Sequence, residues 1–175
     1  MEFLVKYLPY TAARRRTCPP EFLIKLHNYH NKYIDTELAG NPNTPKQILI
    51  ELGQDSDWYI QSKVVENPNC PIEILEKLSD DPSVNIKINI AKNPNCPKEL
   101  LEKLCKSTQI MVRQAVAKNK KCPEDILDQL CTDKSTDVRY CVAININTHP
   151  KTLKKLCNDY CADIKRIALS RLNRL

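Results

Sequence analysis

Apolar positions recur along this chain with a period of 26 residues. Cut into 15–40, 41–66, 67–92, 93–118, 119–144 and 145–170, the six segments fall into register. Leu23, Leu49, Leu75, Leu101, Leu127 and Leu153 share one position, and Leu26, Leu52, Leu78, Leu104, Leu130 and Leu156 share another. A third holds Ile34, Ile60, Ile86, Val112, Val138 and Ile164. Within a segment the apolar residues form two short runs, such as Leu100, Leu101 and Leu104 followed by Val112, Val116 and Ala117. Each run has the spacing of one helix face. A short helix cannot bury such a stripe alone, but stacked neighbours can, which is the logic of a solenoid. The pattern predicts an all-α solenoid of about six 26-residue two-helix repeats over 15–170. Leu8, Ala12 and Ala13 fall on later repeat positions, so 1–14 reads as a capping half-repeat and 171–175 as a short basic cap.

The string NPNCP stands at 67–71 and 93–97, with NPNTP at 41–45. Read as punctuation, Asn67 and Asn93 end a helix in the left-handed conformation, and Pro68 and Pro94 cannot continue it. Cys70 and Cys96 then fall at the N-cap of the next helix, a position held elsewhere by Cys18, Thr44, Cys122 and Thr148. Proline follows as the first helical residue, and Gln47, Glu73, Glu99 and Asp125 fall at N3. In the last segment Pro150 comes one residue late, as though His149 were inserted.

A segment reading NPNCPKELLEKLCKSTQIMVRQAVAK resembles the leucine-rich repeat variant family and, more loosely, HEAT-like repeats. The resemblance spans roughly 15–170 and rests on NPxxP, the LxxL that follows it, and VRxxVA at 112–117 and 138–143. It implies a right-handed superhelix of short paired helices, used mostly as a binding surface. A member of that family carries an iron–sulfur cluster in a cysteine-rich N-terminal segment, where this chain has only Cys18. No cofactor is expected.

At 175 residues with 42% hydrophobic content, the chain is long enough to bury a core as one domain. No apolar run reaches the roughly 18 residues of a membrane span, and MEFLVKYLPY does not read as a signal peptide, so a cytoplasmic, non-membrane monomer is expected. The nine cysteines are odd in number and several sit at one repeat position, which suits reduced thiols rather than disulfides. The net charge of +6 is uneven: 1–20 carries +3 through Lys6, Arg14, Arg15 and Arg16 against Glu2, 145–175 carries +5, and 21–144 carries −2. Such asymmetry bears on solubility and on acidic partners rather than on fold, and leaves nucleic acid open as a partner of the basic ends.

The two glycines, Gly40 and Gly53, exclude a glycine-rich phosphate loop. His27, His30 and His149 lack the company of a metal motif, and the strongest thiol grouping is Cys131, Cys157 and Cys161, a candidate iron–sulfur or zinc set against the plainer reading of ordinary packed thiols. Lys87, Arg113, Arg139 and Lys165 form a cationic ladder, with Gln61 in the same register. Two uses are open to it. The cations pair with aspartates near the second helix, for which Asp55, Asp81, Asp133, Asp137, Asp159 and Asp163 are available, or they form a binding stripe continued by Arg166, with Trp58, Tyr59 and Tyr140 as aromatic contacts. The function expected is a non-enzymatic protein-interaction scaffold. The alternatives are a nucleic-acid backbone binder, a metal-bearing repeat protein, and a base-excising enzyme centred on Asp57 and Trp58.

Overall fold

In the computed structural model, which describes residues 1–174, every regular element is a helix. Leu175, the last residue of the expected 171–175 cap, lies outside the described residues. The chain divides into two compact units, Met1–Asn95 and Cys96–Leu175. The first holds α1 (Glu2–Tyr7), α2 (Pro9–Arg14), α3 (Pro20–His27), α4 (Lys32–Gly40), α5 (Lys46–Leu52), α6 (Trp58–Glu66), α7 (Ile72–Leu78) and α8 (Val84–Lys92). The second holds α9 (Lys98–Leu104), α10 (Ile110–Lys118), α11 (Glu124–Leu130), α12 (Thr136–Ile144), α13 (Pro150–Leu156) and α14 (Ala162–Leu172). Each repeat contributes a first helix of seven or eight residues and a second of nine to eleven.

Helices this short are marginal in isolation, so packing between neighbours must hold them. The leucine ladder is the core. Leu23, Leu49, Leu75, Leu101, Leu127 and Leu153 are each no more than 1% exposed. Each buried leucine contributes about 1.5–3 kcal/mol of hydrophobic stabilisation. The second helices stack on one another most closely: α2, α4, α6 and α8 in the first unit, and α10, α12 and α14 in the second. The first helices pack on their own second helix and, as α5, α11 and α13 do, on that of the preceding repeat.

The NPNCP string does not work as expected. Asn67 and Asn93 are extended, at φ −66° and −61°, rather than left-handed, and among the described non-glycine residues only His30 has a positive φ. Each asparagine is instead a buried bridge to the repeat before it. The Asn67 amide donates to the carbonyls of Ala39 and Asn41, both at 2.8 Å, and its oxygen accepts from the Asn69 N–H. Asn41, Asn93 and Asn145 donate in the same way to carbonyls 26 and 28 residues back. The second asparagine of the string adds a third bond, as when Asn69 donates to Pro42 O at 2.6 Å. These amides satisfy helix-end carbonyls that would otherwise be stranded in a dry interior.

The cysteine and threonine position is likewise not an N-cap. Pro45, Pro71, Pro97 and Pro123 occupy the caps. The hydroxyls of Thr44 and Thr148 donate backwards, at 2.6 Å, to Leu38 O and Val142 O of the preceding helix. Cys18, Cys70, Cys96 and Cys122 fill the same buried slot, and burial pushes the thiols of Cys70, Cys96 and Cys122 up to about 12. Such thiols stay protonated and unreactive. His149 is a replacement rather than an insertion: it stands in the proline register, caps α13, and accepts the Lys151 N–H through Nδ1.

Candidate functional site

In the second unit, Arg113 and Arg139 take the paired alternative. The Arg113 guanidinium grips the Asp133 carboxylate with two bonds, Nε to Oδ2 at 2.6 Å and Nη2 to Oδ1 at 3.0 Å. Its remaining nitrogen donates to the carbonyls of Ser107 and Thr108. Arg139 repeats the arrangement on Asp159 and the Asp133 carbonyl. Arg113 is 5% exposed, so it meets no ligand; it ties its own inter-helix loop to the loop of the next repeat. The carboxylates are fully used, since Asp133 and Asp159 also accept the N–H of Ser135 and Cys161.

The other ladder residues are disposed differently. Gln61 reproduces only the carbonyl half of the arginine's work, donating to Asp55 O at 2.7 Å. Lys87 is half-buried on α8 and Lys165 is exposed on α14. Arg166 is exposed beside Asp163, at 3.0 Å on its own helix. Tyr140 is exposed on α12, in the second unit, whereas Trp58 and Tyr59 belong to the first. Cys131 is buried with its thiol on Asp128 O, and Cys157 and Cys161 are partly exposed. Among the described residues no three His, Cys, Asp or Glu side chains gather as a metal site needs. Asp57 is occupied as well: it accepts the Tyr59 N–H as the cap of α6 and pairs with Lys32.

The first unit carries an exposed aromatic and charged surface on the face made by its second helices. Tyr33 and Trp58 stand at the starts of α4 and α6, 75% and 62% exposed, and the Lys32–Asp57 pair joins those two helix starts. Tyr59 meets Trp58 edge-on at 5.7 Å and lies under Lys63 Nζ at 5.5 Å. From Tyr59 the face dips into a recess of about 520 Å³ lined by Tyr10, Arg14, Arg16, Thr36, Glu37, Gly40 and Lys63 among others. A second recess of about 300 Å³ shares Arg16, Gly40 and Lys63 with it and extends along Pro42, Glu66 and Pro68.

The sequence makes this groove by leaving something out. Arg14, Gly40, Glu66 and Lys92 hold one register position in successive second helices, and at Gly40 the row has a gap. A Cβ built there would meet only Lys63 Cδ, at 3.8 Å. The backbone around Arg14 and Arg16, at the end of α2 and just beyond it, is held in place. Asn41 donates to Ala13 O and Arg15 O, while Asn43 donates to Arg16 O at 2.7 Å. The groove's acids already have partners: the Tyr10 hydroxyl donates to Glu37 at 2.8 Å, and Lys63 reaches Glu66 at 2.8 Å. Arg14 and Arg16 are exposed, and no carboxylate pairs with them among the described residues. In the sequence Arg14 and Arg16 count only as basic charge and Gly40 only as a scarce glycine. The available signal was the register of Gly40 beside Arg14 and Glu66.

A further recess in the second unit, of about 630 Å³, lies along Lys121–Glu124 and Ile146–Pro150 beside Arg171 and Arg174. Arg171 holds the register of the bridging asparagines and does their work, donating to Ala143 O and Asn145 O at 2.8 and 2.6 Å. Burial pulls its guanidinium below its ordinary value. This cation serves the backbone.

Neither a protein-family model nor a curated protein sequence matches the chain. In structure it is similar to a leucine-rich repeat variant described as having a novel repetitive protein structural motif, with a TM-score of 0.64 at 21% identity. The match covers 93% of this chain and 64% of that one. No helix among the described residues is long and apolar enough to cross a membrane. The stacked two-helix repeats, the leucine ladder and this likeness together give the chain the all-α helical-repeat fold of a leucine-rich repeat variant.

Proposed function

We propose that the protein is a non-enzymatic interaction scaffold that recruits a protein partner on the second-helix face of its first unit. The observation that carries this is the exposed aromatic row of Tyr33, Trp58 and Tyr59, rooted on adjacent helices and running into a groove whose Arg14 and Arg16 have no carboxylate partner among the described residues. Tyrosine, tryptophan and arginine are the residues that dominate protein–protein contacts, because they bring large contact area or several donors at low entropic cost. A cytoplasmic setting fits the buried, protonated thiols. A nucleic-acid stripe along the ladder is disfavoured by the pairing of Arg113 and Arg139.

Site-specific photo-crosslinking tests this reading. A photoreactive residue at Tyr33 should yield polypeptide adducts in cells, and Trp58→Ala should sharply reduce them. The same probe at Lys77, exposed on α7, should give few. Equal yields at the two positions, or adducts to nucleic acid alone, would contradict it.

A further inference from the structure

We infer that the groove over Gly40 is an acidic-peptide site: it takes an extended polypeptide segment whose Asp or Glu side chain enters the recess and is held by Arg14 and Arg16. This rests on the binding-face reading above and names the chemistry of the partner.

Four features of the groove lead to that occupant. The lining residues that carry charge are Arg14, Arg16 and Lys63 against Glu37 and Glu66, three cations to two acids. Both acids already accept hydrogen bonds from inside the protein, whereas the two guanidiniums have no carboxylate partner among the described residues. A guanidinium presents a planar fork of donors that matches a carboxylate. The backbone at Arg15 and Arg16 is held in place before any ligand arrives by the amides of Asn41 and Asn43. Preorganisation of this kind lowers the ordering cost of binding.

The shape of the groove favours a polypeptide over a polyphosphate. The recess lies over Gly40, where the row of second-helix side chains has a gap; Pro42 and Pro68 border it, and Tyr59, whose ring meets Trp58 edge-on, lines its other end. A chain lying across it would place one acidic side chain in the gap and its apolar neighbours on the rings. A nucleic-acid backbone needs a continued row of cations, and the next residues along the Arg14 row are Gly40 and Glu66.

Fluorescence anisotropy at low salt, with a labelled Glu-rich peptide bearing interspersed tyrosines as the probe, tests the assignment. The wild-type protein should bind this probe and not its Gln-for-Glu counterpart. Arg14→Gln with Arg16→Gln should weaken binding about tenfold or more. Lys165→Gln with Arg166→Gln removes the same charge from α14 and should leave binding unchanged. Gly40→Ala should bind normally and melt at or above the wild-type temperature, since the added methyl meets only Lys63 Cδ at 3.8 Å. Gly40→Phe should stay folded by circular dichroism and lose the peptide. No binding of the Glu-rich probe, equal losses from both charge pairs, undiminished binding by Gly40→Phe, or tighter binding of a single-stranded oligonucleotide would each overturn the proposal. Crosslinking at Tyr33 that persists in the Arg14→Gln, Arg16→Gln protein would remove the acidic-peptide site alone, whereas its absence from the wild type would remove the binding face itself.

Discussion

The two units are built from one repeat but use its cations in opposite ways. In the second, Arg113 and Arg139 are folded inward, each clamping an aspartate 20 residues ahead in the following repeat. In the first, the ladder holds Gln61, with no charge to clamp, and the half-buried Lys87, while Arg14 at the end of α2 and Arg15 and Arg16 just beyond it are exposed. The link between repeats is made there instead by His27, whose ring bridges Asp35 at 2.9 Å and Glu51 at 3.1 Å. A charge count over the whole chain therefore says little about binding. What decides is whether a carboxylate waits at the right register, as Asp133 and Asp159 do, or whether the neighbouring acids are already engaged, as Glu37 and Glu66 are.

The largest effect expected from breaking this contrast is on stability. Arg113→Gln strands the buried Asp133 carboxylate and should cost about 3 kcal/mol, read as a lowered midpoint in urea unfolding. Replacing Arg113 and Asp133 together by Met and Leu should recover part of that loss, because the desolvation penalty of the pair disappears while the Ser107 and Thr108 carbonyls and the Ser135 N–H lose their partners.

A second contrast is in pH. Burial would raise the Asp133 carboxyl, but the Arg113 guanidinium and the Ser135 N–H outweigh it and hold it below the usual carboxylate range. The Arg139 guanidinium holds Asp159 down in the same way. Their contribution is complete above the unfolded value of about 4 and is lost as pH falls through the lower folded value. His27 behaves in reverse. Burial would lower it, yet its bonds to Asp35 and Glu51 raise it overall. Its contribution is complete below the unfolded value of about 6.5 and is lost as pH rises through the higher folded value. Hydrogen exchange across pH 6 to 9 should show the α3–α5 region loosening as pH rises, and His27→Gln should abolish that trend while leaving the second unit unaffected.

The smallest effect sharpens the comparison rather than breaking it. Asp81 stands 20 residues beyond Gln61 and already accepts the Ser83 N–H, as Asp133 accepts that of Ser135. Gln61→Arg should recreate the clamp in the first unit and add about 1 kcal/mol, measurable as a small rise in Tm. No change would mean that the loop around Asp81 cannot take the geometry seen at Asp133.

The repeat itself was legible in the sequence because burial is periodic. Leu23 and its five equivalents are spaced by the repeat, and each is buried. The helix starts followed from the prolines to within a residue or two. The role of the asparagines was hidden because their partners are backbone carbonyls 26 to 28 residues back, and no residue code marks a carbonyl. Thr44 was misread for a related reason: a hydroxyl near a helix start can accept a bond forward or donate one backward, and only the fold decides. The paired use of Arg113 could be stated beforehand as an alternative, since Asp133 was visible, but its burial was not. The groove was missed because its defining residue, Gly40, contributes an absence.

The most direct measurement pairs two variants and two readouts. Thermal melting and Glu-rich peptide binding are recorded for Arg113→Gln with Arg139→Gln, and for Arg14→Gln with Arg16→Gln. The first pair should lower Tm by several degrees or more and, under conditions where it remains folded, leave peptide affinity within about twofold of wild type. The second should leave Tm within a degree or so and weaken binding about tenfold or more. Loss of binding in the first pair without loss of stability would place the recognition surface on the ladder of the second unit, and would contradict the division of labour between the two units.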